Sequence, residues 1–317
     1  MRIALLLLLC LLPACASTDR AGSTHAARDP RAVTLFHSDG TPATWEELVS
    51  AASSTEAVLI GENHGHPLGL AAAAALWTDV VAGAPNSALS LEFFERDEQT
   101  RLDDYLTGVV NEETFRKRTA RTEGNYPPGH REMVEGAKAA KRVVVAANAP
   151  RQYVRLARTE GYERLATLTP DQRRLFRVPD ELPTGRYRED FEKIMGDGAS
   201  HGAPAKEPPG PDAEAKKKAD LEGAFRSQSL WDWTMADSVA TALASGRAPV
   251  VHVIGRFHSD FDGGTVLALR RIRPGVRTVV VSVVQKDGGA CEKDDIGRAD
   301  FIAYVGAESK MTTAAAK

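Results

Sequence analysis

The sequence predicts a single α/β domain with a mostly parallel central sheet flanked by helices, and three observations predict it. Short β-branched, apolar runs alternate with longer helical segments along the chain. Two of the runs, in VLIGENH (58–64) and VVHVIGRFH (250–258), stop on a glycine and present a histidine three residues later, His64 and His258. The composition is that of an ordinary globular protein, 43% apolar and 26% charged, and 317 residues can fill one large core.

The N-terminus reads as a targeting segment. Arg2 supplies a positive start, Ile3 to Leu12 an apolar run too short to span a bilayer, and Leu12-Pro13-Ala14-Cys15 resembles a bacterial lipobox. The expectation is a signal peptide over 1–14 and lipidation of Cys15; the alternative is ordinary signal-peptidase cleavage near Ala14 or Ala16. Acyl chains on Cys15 would hold the protein to a membrane of the cell envelope, and the absence of Asp after the cysteine favours the outer membrane over the inner. Residues 15–32 contain no Phe, Trp or Tyr and read as a flexible tether. With Cys10 removed and Cys15 lipidated, Cys291 remains alone, so no internal disulfide is expected. A formal charge of -3 and an isolated block at Lys216–Lys218 give no basis for nucleic-acid binding.

The domain is expected over 33–310. Thr44 and Glu47 have capping-box spacing and open a helix. A strand at Val58–Ile60 precedes a helix from Pro67 to about Val81, apolar nearly all round and therefore buried against the sheet. A strand at Ala88–Leu91 runs into Glu92-Phe93-Phe94-Glu95, followed by helical segments near 97–106, 112–120 and 129–141. A strand at Val143–Ala147 leads to a helix that stops at Gly161. A helix over Ser229–Ala244 precedes the strand Val250–Ile254; a helix near 265–272 and a strand over Val276–Val284 complete the pattern. The stretch at about 196–218 has almost nothing to bury and reads as a disordered loop within the domain.

In open α/β sheets, ligands bind outside the carboxyl ends of the strands. Those ends carry Glu62, His64 and His66, then Glu92 and Glu95, then Asn148 and Arg151, then Arg256 and His258. Two histidines and two carboxylates suit a divalent metal such as Mn, Co or Zn, with Glu62, His64, Glu92 and His258 as ligands and Glu62 or Glu92 as the catalytic base of a hydrolase. Haem is the other cofactor this inventory permits, with His64, His258 or Tyr126 as ligands and Asn148, Arg151 and Arg256 around it. Phe93, Phe94, Phe257 and Phe261 flank the same ends and offer apolar surface. His66, His130 and His252 read instead as structural histidines.

Five blocks, VLIGENHGHPLGL, LSLEFFERDEQTRLDDYL, NYPPGHREMVEGAKAAKRVVVAANAPRQYVRLARTEGYERL, QSLWDWTMADSVA and VVHVIGRFHSDFDGG, together resemble the ChaN-like haem-binding lipoproteins of the Tiki superfamily. That wider group also holds TraB-like and erythromycin-esterase-like proteins. The resemblance implies a mixed α/β fold, surface anchoring in bacteria and haem binding linked to iron uptake. The family's motif positions match Glu62, His64, Glu92 and His258. Tyr126 falls where the family has an aromatic-rich stretch, but here no tryptophan stands beside it. Relatives in the wider group resemble metal-dependent hydrolases, so the two chemistries stay open at this point. Oligomeric state is not readable.

Overall fold

A computed structural model describes residues 29–198 and 211–307. Cys15, the signal segment and most of the tether lie outside the described residues. In chain order the elements are β1 (Thr34–His37), β2 (Pro42–Ala43), α1 (Trp45–Ser54), β3 (Ala57–Glu62), α2 (Pro67–Gly83), β4 (Ala88–Glu95), α3 (Gln99–Leu106), α4 (Glu112–Arg118) and α5 (Pro128–Ala139). There follow β5 (Val143–Asn148), α6 (Arg151–Ala166), α7 (Pro170–Arg173), α8 (Arg186–Gly198), α9 (Pro211–Ala244), β6 (Val250–Gly255), α10 (Gly264–Ile272), β7 (Thr278–Val284) and β8 (Phe301–Tyr304).

The strands form one eight-stranded sheet in the order β2-β1-β8-β7-β3-β6-β4-β5. Pairing is parallel from β8 through to β5 and antiparallel only where β1 joins β8 and β2. Every residue of β3 and of β6 is buried, as strands covered on both faces require. Alternation divides them: Val58 and Ile60 face one core with α1 to α5, while Ala57 and Leu59 face a second core with α9 and α10. The sheet is thus the middle of three layers, the α/β architecture expected from the alternating elements.

Local chemistry sets the helix ends. Thr44 and Glu47 form the capping box of α1. His66 caps α2, its Nδ1 accepting from the Gly69 N–H at 3.1 Å, and Pro67 occupies the first helical position. Gly161 does end the first helical segment of α6: it leaves helical geometry at φ 83° and ψ 178°, and a second short segment follows across this kink to Ala166. The loop expected at about 196–218 needs correction at both ends, because α8 runs to Gly198 and α9 starts at Pro211; residues 199–210 lie outside the described residues. Residues 211–218 are polar and offer little to bury, yet they extend a helix anchored from Phe225 onward in the core. β5 forms one edge of the sheet among the described residues, and its outer side is flanked by Gln99 of α3. That side chain donates to the Val144 carbonyl at 2.9 Å and accepts from the Ala146 N–H at 2.7 Å. Among the described residues no helix is long and apolar enough to cross a membrane.

Candidate functional site

β3 and β6, the two glycine-ended strands, are neighbours paired in parallel with Glu62 opposite Gly255. The topology therefore brings the two Gly-x-x-His turns side by side. Each glycine is needed for close approach. A Cβ on Gly255 would stand 2.7 Å from His64 Nε2, and one on Gly61 would stand 2.5 Å from Ser259 Oγ and 2.8 Å from Arg256 Cα. β4 lies on the other side of β6, and four residues of β4 span two of β5 between Leu91 and Glu95. That bulge lets Glu92 reach across β6, where its carboxylate accepts from the Gly255 N–H.

The result is a cleft of about 590 Å³ at the C-terminal ends of β3, β4, β5 and β6. Of the residues singled out in the sequence, His64, Glu92, Phe93, Glu95, Asn148, Arg151 and His258 line it, as does His130. Glu62 stands behind His64, only 3% exposed. Tyr126 and Arg256 do not line the cleft. Tyr126 is packed in an aromatic cluster with Phe93, Phe94 and Phe115, and borders a different depression beside Glu112 and Arg131. Arg256 turns away toward Asp260 at 3.3 Å. Phe94 is core, and Phe257 and Phe261 line another cavity.

Two hydrogen-bonded groups organise the cleft. In the first, Glu62 bridges two imidazoles: it lies 3.0 Å from His64 Nδ1 and 2.9 Å from His130 Nε2. A buried carboxylate accepts only, so each ring donates to it. His64 is thereby set with its proton on Nδ1 and the lone pair on Nε2. Burial alone would raise the Glu62 pKa, but the bonds from His130 and His64 outweigh it and hold the carboxylate below its ordinary range. The same bond to Glu62 is the main reason the His64 pKa is raised. The His64 side chain is 67% exposed, its partner 3%.

His130, read from sequence as structural, is part of this site. Its ring stacks on Phe93 with centroids 3.9 Å apart, and its Nδ1 is buried without a hydrogen-bond partner among the described residues. His252 does behave as a core residue: it is fully buried against Ser90, and burial lowers its pKa to about 3.

The second group is centred on His258. Its Nδ1 lies 2.7 Å from Asp232, a fully buried carboxylate on α9, and its Nε2 faces Glu92 at 3.6 Å. Asp232 also accepts from the Tyr187 hydroxyl at 2.6 Å and from Thr265 Oγ1 at 2.8 Å. Burial would depress the His258 pKa; Asp232 and then Glu92 overcome it and raise the group to about 9. At neutral pH His258 is therefore an imidazolium between two carboxylates. Asp232 and Tyr187 were not apparent in the sequence. Asp232 sits in the helical run QSLWDWTMADSVA, where an acid within an apolar pattern was the available signal.

The metal quartet does not assemble. Glu62 is engaged by two imidazoles and Glu92 by a backbone N–H and His258. Among the described residues no group of three or more His, Cys, Asp or Glu side chains is arranged to hold a metal ion. The divalent-metal alternative thus finds no support in the donor geometry. Cys291 is half-buried and unpaired among the described residues, with its thiol pKa pushed up by burial.

Solved structures with the same architecture include ChaN of Campylobacter jejuni, described by its cofacial haem binding. It shares 13% identity over 86% of this chain and 96% of its own, with a TM-score of 0.63. A Bacillus cereus protein covers 83% of this chain and 91% of its own at 12% identity and a TM-score of 0.47. An erythromycin esterase in its open conformation covers 75% of this chain and 72% of its own at 13% identity and a TM-score of 0.44. No curated protein sequence matches the chain. The profile of the family described as haem-binding uptake, Tiki superfamily, ChaN matches residues 48–269. The chain belongs to that family.

Proposed function

We propose that this chain is a haem-binding protein of the bacterial cell envelope, held at a membrane through acyl chains on Cys15 and serving haem or iron uptake. One observation carries the binding part: His64 is an exposed imidazole whose Nδ1 is held by a buried carboxylate, leaving Nε2 as the ligating atom.

The residues around it fit the group. Phe93, Trp231 and Pro127 give the cleft apolar walls, and the exposed Arg151 at its rim is a partner for a carboxylate. The cleft volume lies within the range of cofactor sites. When bound, haem would supply an iron centre. Glu62 would keep the His64 tautomer, and His130 would keep Glu62 in place. His258 is a poorer ligand, because its Nδ1 is committed to Asp232 and the ring is protonated at neutral pH. Membership of a haem-binding family supports the same reading.

Titration of the purified protein with haemin tests it. A saturable Soret shift is expected, weakened by His64→Ala far more than by His258→Ala. No shift at micromolar haemin, or a shift unchanged in His64→Ala, refutes the proposal. Globomycin-sensitive processing and incorporation of radiolabelled palmitate, both lost in Cys15→Ala, test the anchor.

A further inference from the structure

A second cavity, of about 690 Å³, surrounds the turn after β6 and has no part in the haem reading. Cations enter it from three sides: Arg186 and Lys193 from α8, Arg256 from the turn, and Lys293 and Arg298 from the segment between β7 and β8. Three carboxylates accompany these five, Asp190, Asp260 and Asp294. The compensation is incomplete. Asp260 alone serves both Arg256, at 3.3 Å, and Arg298, while it also accepts from Ser282 Oγ at 2.6 Å. Asp295, outside the lining, is shared between Arg298 and Lys286. Arg186 pairs with Asp190 at 3.2 Å, but among the described residues Lys193 and Lys293 pair with no acid.

The floor and mouth are apolar. Phe257 and Phe261 are half-buried, and Ile194 and Ile296 are 55% and 47% exposed. The backbone is bent to present Phe261: Phe261 and Asp262 both take left-handed conformations, with φ of 55° and 58°. For a bulky residue that conformation is strained, and strain of this kind gathers at functional sites. It is held by the Phe261 N–H donating to the Arg298 carbonyl at 2.7 Å. The Arg186 and Arg298 guanidiniums lie 3.5 and 4.7 Å from the Phe261 ring centroid.

From this arrangement we infer a second binding site, for a phosphate ester carrying an apolar or aromatic body. Donors converging from three walls suit a tetrahedral dianion better than a planar carboxylate, which takes its partners in one plane. The phenylalanine floor takes the body of the ligand. Tyr187 lines this cavity and donates its hydroxyl to Asp232, so the site adjoins the His258 group without sharing the cleft.

Calorimetric titration of the purified full chain with phenyl phosphate, with benzoate as control, tests the assignment. Sedimentation with phosphatidylcholine vesicles, with and without phosphatidic acid (a monoester like phenyl phosphate), provides the lipid arm. Phenyl phosphate is expected to bind saturably and benzoate to bind more weakly. Replacing the exposed pair (Lys193→Ala with Lys293→Ala) should lower affinity by about tenfold or more, the scale of a lost charge-assisted contact. The same variant should leave the haemin titration unchanged. Binding to phosphatidic acid vesicles alone assigns the phosphate to a lipid headgroup; binding to phenyl phosphate as well assigns a soluble ester. The inference is overturned by saturable binding of neither probe, by binding that the lysine variant leaves intact, or by benzoate binding as tightly as the ester.

Discussion

Asp232→Asn is the sharpest probe of the His258 group. The substitution keeps the shape of the side chain and an acceptor for Nδ1–H but removes the charge that holds the ring protonated. In the folded chain His258 titrates at about 9 instead of its ordinary 6.5. At about 1.4 kcal/mol per unit, that shift corresponds to roughly 3 kcal/mol of stability. His258 is only 7% exposed, so solvent screening removes little of it. The folded state holds the proton more tightly than the unfolded state. The contribution is therefore fully present below about pH 6.5 and is lost as pH rises through about 9. Urea unfolding followed by tryptophan fluorescence between pH 6 and 10 measures it directly. Wild-type stability should fall across that window. In Asp232→Asn most of the fall should disappear, because only Glu92, at 3.6 Å, still favours the imidazolium. The variant should be less stable by roughly 3 kcal/mol at pH 6, with the gap closing toward pH 10. Parallel stability curves for the two proteins would refute the assignment of the proton to this dyad.

Three further outcomes follow from the same geometry. In Gly255→Ala the new methyl meets His64 Nε2 at 2.7 Å; this exposed ring can swing aside, so haemin affinity should fall about tenfold while the unfolding midpoint barely moves. His130→Ala removes a donor to Glu62 and the ring stacked on Phe93, and should cost about 1–3 kcal/mol in denaturant titrations and broaden the haemin-binding transition. His252 is held neutral, with a pKa near 3 against an ordinary 6.5, so the unfolded state takes up its proton first. Stability should drop by about 1.4 kcal/mol for each pH unit below about 6, and His252→Gln should flatten that acid limb in urea titrations.

How much of this was legible in the sequence depends on the range of the interaction. The Gly-x-x-His turns, the capped start of α1 and the buried helix α2 are local patterns, and each stands where the sequence places it. The four-residue β1 and β8 and the two-residue β2 carry too little periodicity to announce themselves. Adjacency of β3 and β6 was not readable either, since nearly 190 residues separate them and strand order is a property of the packed sheet. The same applies to partners. His64 was visible as a strand-end histidine, but His130 joins it only because α5 packs beside β4, and Asp232 meets His258 only because α9 passes beneath β6. Tyr126 shows the reverse error: an aromatic residue near the right loop was drawn into the core by Phe93, Phe94 and Phe115.

The amide of Gln99 on β5 has a consequence for how copies of this chain can meet. A sheet's outermost strand offers its backbone to any other strand that drifts alongside, and most proteins block that approach with charge, proline or a covering element. Here a single side chain occupies the Val144 carbonyl and the Ala146 N–H together, filling the place of a ninth strand. Only an amide can do both: a glutamate at 99 would set a carboxylate against the Val144 carbonyl, and an alanine would leave both groups open. On that side, the block is one uncharged side chain that belongs to no strand. A strand approaching this edge would have to displace the Gln99 amide before it could pair with Val144 and Ala146.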